Sequence, residues 1–322
     1  MRILSLVISK QYDASLPPCP NQFNDNFPVT MNLRVLIVGC GYTGSALAAE
    51  LTRRGHEVFG LRRHAPPAAV ERMAGFTFLR ADLTRPETLA GLPRDFDWVV
   101  NCAAPDAGGV ADYRQVYLTG NQNLAAWLAN APLQKFIFTS STSVYGQNDG
   151  SVVTETSPAA PLAETAKVLV EAENFLLTAG QKLPAAILRV AGIYGPGRMR
   201  RVEALLQGEP RLPDNGSRWL NLIHRDDLIT AIIAALERGA PGEIYNVVDN
   251  EPVRERQLQE WLAARLGCPL PSADPAVTER HTGKRVSNMK LRRTLHPVWR
   301  FPDFRAGLAD EIRRLTAGKN LV

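Results

Sequence analysis

The run RVLIVGCGYTG, residues 34–44, leaves this chain few folds to choose from. Gly39, Gly41 and Gly44 stand in G-x-G-x-x-G spacing, directly after a short apolar stretch rich in β-branched residues. Beyond them Ala46, Leu47 and Leu51 recur at helical spacing, which predicts a helix over 43–54. A lone glycine triplet carries little weight, but one that closes a strand and opens a helix carries a mechanism. Gly39 permits the tight turn, Gly41 lets the backbone approach a pyrophosphate, and Gly44 lets helix and strand pack closely. The helix N-terminus adds unpaired N–H groups and the positive end of its dipole. Tyr42 and Thr43, inside the turn, are expected to touch the same ligand.

The same rhythm continues. Strands are expected at 56–61, 76–80, 97–102, 135–140 and 185–190, with helices over 113–129 and 163–178. Near-continuous apolar strands that alternate with amphipathic helices imply a parallel sheet covered on both faces, a doubly wound α/β (Rossmann) fold. From about Gly195 the rhythm loosens, Pro and Gly become frequent, and short strands such as EIYNVV (243–248) mix with helices. The expected organisation is a dinucleotide-binding domain over 31–194 and a smaller substrate lobe over 195–322, with some exchange of chain between them. Residues 1–30, rich in Pro, Asn and Asp and without a period, read as a disordered extension.

The cofactor is expected to be NADP, with NAD as the alternative. The end of the second strand, where an NAD site carries an acid for the ribose hydroxyls, holds Arg62 and Arg63, and guanidinium groups suit a 2′-phosphate. Asp82, after the third strand, either accepts a hydrogen bond from the adenine amino group or caps the next turn. Leu83 beside it, and Ala103 and Ala104 after the fourth strand, complete the expected cofactor wall.

Composition narrows the function classes. A formal charge of +5 with scattered arginines and no basic block interleaved with aromatics argues against nucleic acid and fits a phosphorylated small molecule. Cys19, Cys40, Cys102 and Cys268 form no C-x-x-C pair, which argues against a disulfide framework or a metal site and for the cytoplasm. No apolar run reaches the length of a membrane span.

Four further stretches occur in order: FIFTSSTSVYG (136–146), ILRVAGIYGPGR (187–198), NLIHRDDL (221–228) and GEIYNVVDNEPV (242–253). With the glycine loop they resemble the extended short-chain dehydrogenases/reductases of the NAD-dependent epimerase/dehydratase family, and within it the YeeZ-like atypical branch, over residues 33–317. The resemblance implies oxidoreduction, epimerisation or dehydration of a polar, hydroxyl-bearing substrate such as a nucleotide sugar. It also implies a homodimer formed through helices that flank the sheet.

The family's chemistry uses a Ser or Thr to hold the substrate oxygen, a Tyr to move the proton, and a Lys that lowers the Tyr pKa and binds ribose. Ser141 matches the serine and Lys167 the lysine, but Ala163 stands four residues before Lys167, where the family has Tyr. Tyr117 fills a place the family gives to Asn. Either another group moves the proton, with Tyr145, Thr165 and Glu164 as candidates, or the protein is a catalytically silent dinucleotide-binding sensor or scaffold. Tyr145 reads better as a packed loop aromatic, and Lys167 as a ribose contact. Thr142, Arg198, Asn221 and His224 are expected beside the substrate with Ser141. Asp226 and Asp227 read as N-cap or first-turn acids of the helix that follows them. Phe304 and Leu308 are expected to pack the last helix onto the second lobe.

Overall fold

The computed structural model describes residues 32–65, 68–178, 183–208, 211–273 and 282–317. The expectation of a disordered stretch over 1–30 falls outside these residues. Seven parallel strands form the central sheet: β1 (Arg34–Val38), β2 (Glu57–Arg62), β3 (Phe76–Arg80), β4 (Trp98–Asn101), β5 (Lys135–Ser141), β6 (Ala185–Val190) and β7 (Ile244–Val247). Their order is β7-β6-β5-β4-β1-β2-β3, and every neighbouring pair is parallel. The chain steps outward from β1 to one edge, then restarts at β4 on the other side, as a doubly wound sheet does.

Alternation along each strand decides the two faces. Val35 and Ile37 point to one side of β1, Leu36 and Val38 to the other, so both sides demand cover. On the first side lie α1 (Tyr42–Arg53), with Leu47 and Leu51, and α4 (Arg225–Arg238), with Ile229, Ile232 and Leu236. On the second lie α2 (Gly120–Trp127), with Leu124, and α3 (Glu164–Thr178), with Leu169, Ala172 and Leu176. Each fully buried aliphatic side chain contributes about 1.5–3 kcal/mol.

A separate apolar cluster defines the second lobe. Val202 and Leu205 meet Leu258 and Leu262 of α5 (Glu255–Leu266) and Phe304 and Leu308 of α6 (Phe304–Ala317). After residue 194 the chain re-enters the first body. Helix α4 covers the sheet, and β7, within the stretch assigned from sequence to the second lobe, pairs with β6. This β7 is an edge strand with buried side chains at Tyr245, Asn246 and Val247, and period alone does not reveal which sheet it joins.

A buried ion pair ties three elements together. Glu173 on α3 accepts from Arg189 on β6 at 2.7 Å and from the Ser140 hydroxyl on β5 at 2.5 Å. The Arg189 and Glu173 side chains are only 5% and 2% exposed, and the guanidinium lies 4.9 Å from the centre of the Tyr145 ring.

Where the two lobes meet, carboxylates are buried. Asp227, in the first turn of α4, accepts the N–H groups of Arg300 (2.8 Å) and Phe301 (2.9 Å) and so fastens the segment before α6. The cap of α4 is not an aspartate. His224 Nδ1 accepts the Asp226 N–H at 3.1 Å, which leaves Nε2 to donate to Glu311 at 3.2 Å. Burial raises the Asp227 carboxyl, and burial, aided by Asp303, Glu251 and Asp227, raises Asp249 to about 8 despite the Glu251 N–H it accepts. A carboxyl raised by folding holds a proton that the unfolded chain releases, so its contribution is most favourable below the ordinary carboxylate range. Stability is therefore expected to decline as pH rises toward about 8 and then level off. Thermal unfolding across that range, with Asp249→Asn beside the wild type, checks this. An unchanged slope in the variant would remove Asp249 as its source.

Candidate functional site

At the carboxyl ends of β1 and β4 the chain leaves in opposite directions, which opens a crevice in the sheet. The glycine turn forms its floor, and each glycine is there for a different steric reason. Gly39 has φ +84°, and a Cβ there would lie 2.4 Å from the Ala103 backbone. A Cβ on Gly44 would lie 2.4 Å from the Gly39 carbonyl oxygen, so helix and strand touch there. A Cβ on Gly41 would meet nothing within 4 Å, because that position faces the open crevice. No side chain caps α1 at Gly41. Its first N–H groups are left for an anion from outside the chain.

Above the turn lies a cavity of about 490 Å³. Gly39, Gly41, Tyr42, Thr43, Arg62, Arg63, Asp82, Leu83, Ala103 and Ala104 all line it. Gly44 lies beneath the floor and acts through packing. Arg62 donates to the Cys40 carbonyl at 3.1 Å, and Arg63 pairs with Asp106. Asp82 is occupied as a turn cap: its Oδ1 accepts the Thr84 N–H (3.0 Å) and hydroxyl (2.8 Å). Burial raises the Cys40 and Cys102 thiols, which keeps these two cysteines protonated beside the turn.

The far end of this cavity reaches Ser141, at the tip of β5. Ser141 Oγ accepts the Ser143 N–H at 3.2 Å, which holds the side chain at the rim. A second cavity of about 290 Å³ begins there, lined by Ser141, Thr142, Ser143, Ala191, Gly192, Arg218, Trp219, Asn221, Gly283 and Lys284. Ser141, Ser143, Ala191 and Gly192 belong to both, so the two spaces meet at the serine.

Several expected residues lie elsewhere. Lys167 does not reach either cavity; its half-exposed ammonium pairs with Glu164 one turn earlier on α3, at 2.6 Å. Ala163 and Thr165 line neither space. Tyr145 is buried, and its hydroxyl donates to Asn246 at 2.7 Å, so it braces the loop rather than facing substrate. Burial raises its phenol. His224 has no exposed surface and serves as the cap of α4. Asn221 faces the second cavity, yet both ends of its amide are engaged: Nδ2 donates to the Lys284 carbonyl (2.9 Å) and Oδ1 accepts the Val286 N–H (2.8 Å). It positions the 284–286 segment. Arg198, expected at the substrate, sits on the cofactor cavity with its guanidinium 5.5 Å from the Tyr42 ring centre.

Two residues that sequence reasoning did not assign as site residues take a place at the cavities. A π-helical turn, Arg114–Thr119, presents Tyr117 to the first cavity beside Tyr113, with ring centres 5.2 Å apart. Such turns recur at functional sites. Burial, then the neighbouring Tyr113, pushes the Tyr117 phenol up to about 12. The departure from Asn at 117 was the one available signal. Lys284 gave no signal, because a loop folded back across the chain brings it in.

Known proteins resemble this chain over most of its length. The model of the NAD dependent epimerase/dehydratase family matches residues 35–247. Protein YeeZ of Escherichia coli (strain K12) is 31% identical over 278 residues, which are 84% of this chain and 97% of that protein. A 2-alkyl-3-oxoalkanoate reductase of Stenotrophomonas maltophilia is 30% identical over 259 residues, 74% of this chain and 77% of that protein. A solved structure from Methylobacillus flagellatus superposes with a TM-score of 0.75 at 34% identity, covering 89% of this chain and all 100% of its own. DesIV of Streptomyces venezuelae, a dTDP-glucose 4,6-dehydratase with NAD and TYD bound, has a TM-score of 0.76 at 22% identity over 89% of this chain and 98% of its own, and attests the fold alone.

Proposed function

The chain belongs to the NAD-dependent epimerase/dehydratase family, and on that premise we propose that it is an NADP-dependent oxidoreductase whose site favours reduction of a carbonyl on a polar substrate. The observation that carries this reading is the meeting of two cavities at Ser141, one over the glycine turn and one beyond it. The residues present fit a dinucleotide: the uncapped start of α1 and the open space over Gly41 suit a diphosphate. Such a cofactor, when bound, supplies the hydride.

The chain's own residues supply the rest. The Ser141 hydroxyl holds the substrate oxygen at the shared rim. Tyr117 provides the proton that the family draws from the position of Ala163. A phenol raised to about 12 is a weak acid, but it stays protonated at neutral pH, and the phenolate needed to accept a proton is scarcer still. With Lys167 engaged by Glu164, no ammonium lowers it. That balance suits reduction better than the alcohol oxidation that begins an epimerisation. Arg62 and Arg63 support NADP over NAD through a 2′-phosphate. Nucleotide sugars are the first substrate class to screen, given the family. A homodimer through the helices flanking the sheet belongs to the same reading, and light scattering tests it.

The competing reading, a dinucleotide-binding sensor without turnover, draws on Ala163 and on the diversion of Lys167. One experiment separates the two: fluorescence titration with NADPH and NADH, followed by turnover on carbonyl and sugar-nucleotide panels. NADPH is expected to bind ~10–100-fold tighter than NADH, the worth of one charge-assisted contact, and Arg62→Ala is expected to narrow the gap. Tyr117→Phe is expected to lower kcat by ~100-fold or more with the NADPH dissociation constant unchanged. Tight binding with no turnover on any panel would leave the sensor reading standing.

A further inference from the structure

The second cavity has a one-signed lining. Lys284 and Arg218 bring positive charge to it, and no carboxylate among the described residues lines it. Arg218 Nη2 donates to Glu255 at 3.1 Å, but its Nε is buried and has no partner. Lys284 Nζ donates to the Tyr145 carbonyl oxygen at 2.5 Å and has no carboxylate within ion-pairing distance among the described residues. A carbonyl satisfies one hydrogen of an ammonium and neutralises none of its charge. Burial accordingly lowers the Lys284 pKa, because taking a cation out of water without a counter-ion is unfavourable.

The lysine is also held in place. Asn221 grips its carbonyl oxygen, and the Gly283 N–H donates to Asn148 Oδ1 at 2.8 Å. Gly283 takes a left-handed turn at φ +65° directly before it. A partly buried cation with no carboxylate partner among the described residues, lining the same small space as Ser141 and Thr142, is what an anion site requires.

We propose that this cavity is an anion subsite, in which Lys284 and Arg218 hold an acidic oxygen group of the substrate while the adjoining carbon lies at Ser141. The ligand is a small oxo or hydroxy compound bearing a carboxylate or a phosphate. A volume of about 290 Å³ accommodates such a group and its neighbouring carbons, but not a dinucleotide. The place of this anion in turnover rests on the dinucleotide reading of the first cavity; its binding does not.

Trp219 lines the cavity and provides the readout. The full chain is titrated at low ionic strength with malonate and, separately, with inorganic phosphate, following tryptophan emission; propane-1,3-diol is the uncharged control, and Trp219→Phe identifies the reporter. Saturable binding of at least one anion is expected, with none for the diol, and preference between malonate and phosphate assigns carboxylate or phosphate. Lys284→Met is expected to weaken binding ~10-fold or more, and Lys284→Arg to retain most of it. Affinity is also expected to fall as pH rises and the ammonium is lost. The NADPH-induced rise in melting temperature is measured on the same variants. If it persists in Lys284→Met while anion binding is lost, the variant is folded and the subsite is supported. If neither anion saturates the wild type, or if both Lys284→Met and Arg218→Met bind as the wild type does, the proposal is overturned, whether or not NADPH binds.

Discussion

Gly41→Ala is expected to lower affinity for NADPH by ~100-fold while leaving the free protein nearly as stable as the wild type, because a methyl group there touches no protein atom and fills only the space where a diphosphate approaches the backbone. Gly39→Ala, two residues earlier, is expected to behave in the opposite order. Its Cβ would lie 2.4 Å from the Ala103 backbone, and its φ of +84° suits glycine alone. Strain and overpacking together are expected to destabilise the fold by about 2–4 kcal/mol. Binding would then fail as a consequence of the damaged turn. Urea unfolding and NADPH titration on both variants distinguish the two effects. If Gly41→Ala bound NADPH as tightly as the wild type, the diphosphate would not lie on this turn, and the dinucleotide reading would fall with it.

Glu173→Leu is expected to destabilise the protein by about 3–5 kcal/mol, since it leaves the buried Arg189 guanidinium without its counter-ion. The Ser140 hydroxyl loses its acceptor in the same step. Removing both charges with Glu173→Leu and Arg189→Met is expected to recover much of that loss, because the unpaired charge, rather than the missing bond, carries the penalty. A double-mutant cycle in urea measures the coupling. A single variant within about 1 kcal/mol of the wild type would show that water reaches the pair and screens it.

The central sheet was legible because a strand covered on both faces must be apolar at nearly every position, and such runs stand out: 34–38 and 185–190 are observed with the bounds expected, as is 76–80, a less buried strand at the sheet edge. The glycine turn was legible for a related reason, since three different steric demands fall at fixed spacing. Direction was harder to read. Tyr145 is the packed loop aromatic that its sequence suggested, bonded to Asn246, but His224, in a stretch that resembles an active-site segment, turns inward toward Glu311. Lys167 has the right spacing on α3, yet Glu164 one turn away offers it a partner at the surface. A sequence shows which residues neighbour one another along the chain, and these outcomes depend on competing partners in space. Which late segment returns to the central sheet was not legible, because nothing local states which sheet edge a strand such as β7 joins. Lys284 was missed entirely, since Asn221, far from it along the chain, puts it in place.

The late return of β7 to the edge of β6 has a consequence for biosynthesis. As the chain leaves the ribosome, β6 emerges well before the segment that pairs with its outer side. Until residue 247 is clear of the exit tunnel, β6 presents a bare row of peptide groups, and the apolar face later covered by α4 is still wet. Translation interrupted in that interval would release a fragment with the glycine turn at one end and an adhesive flank at the other.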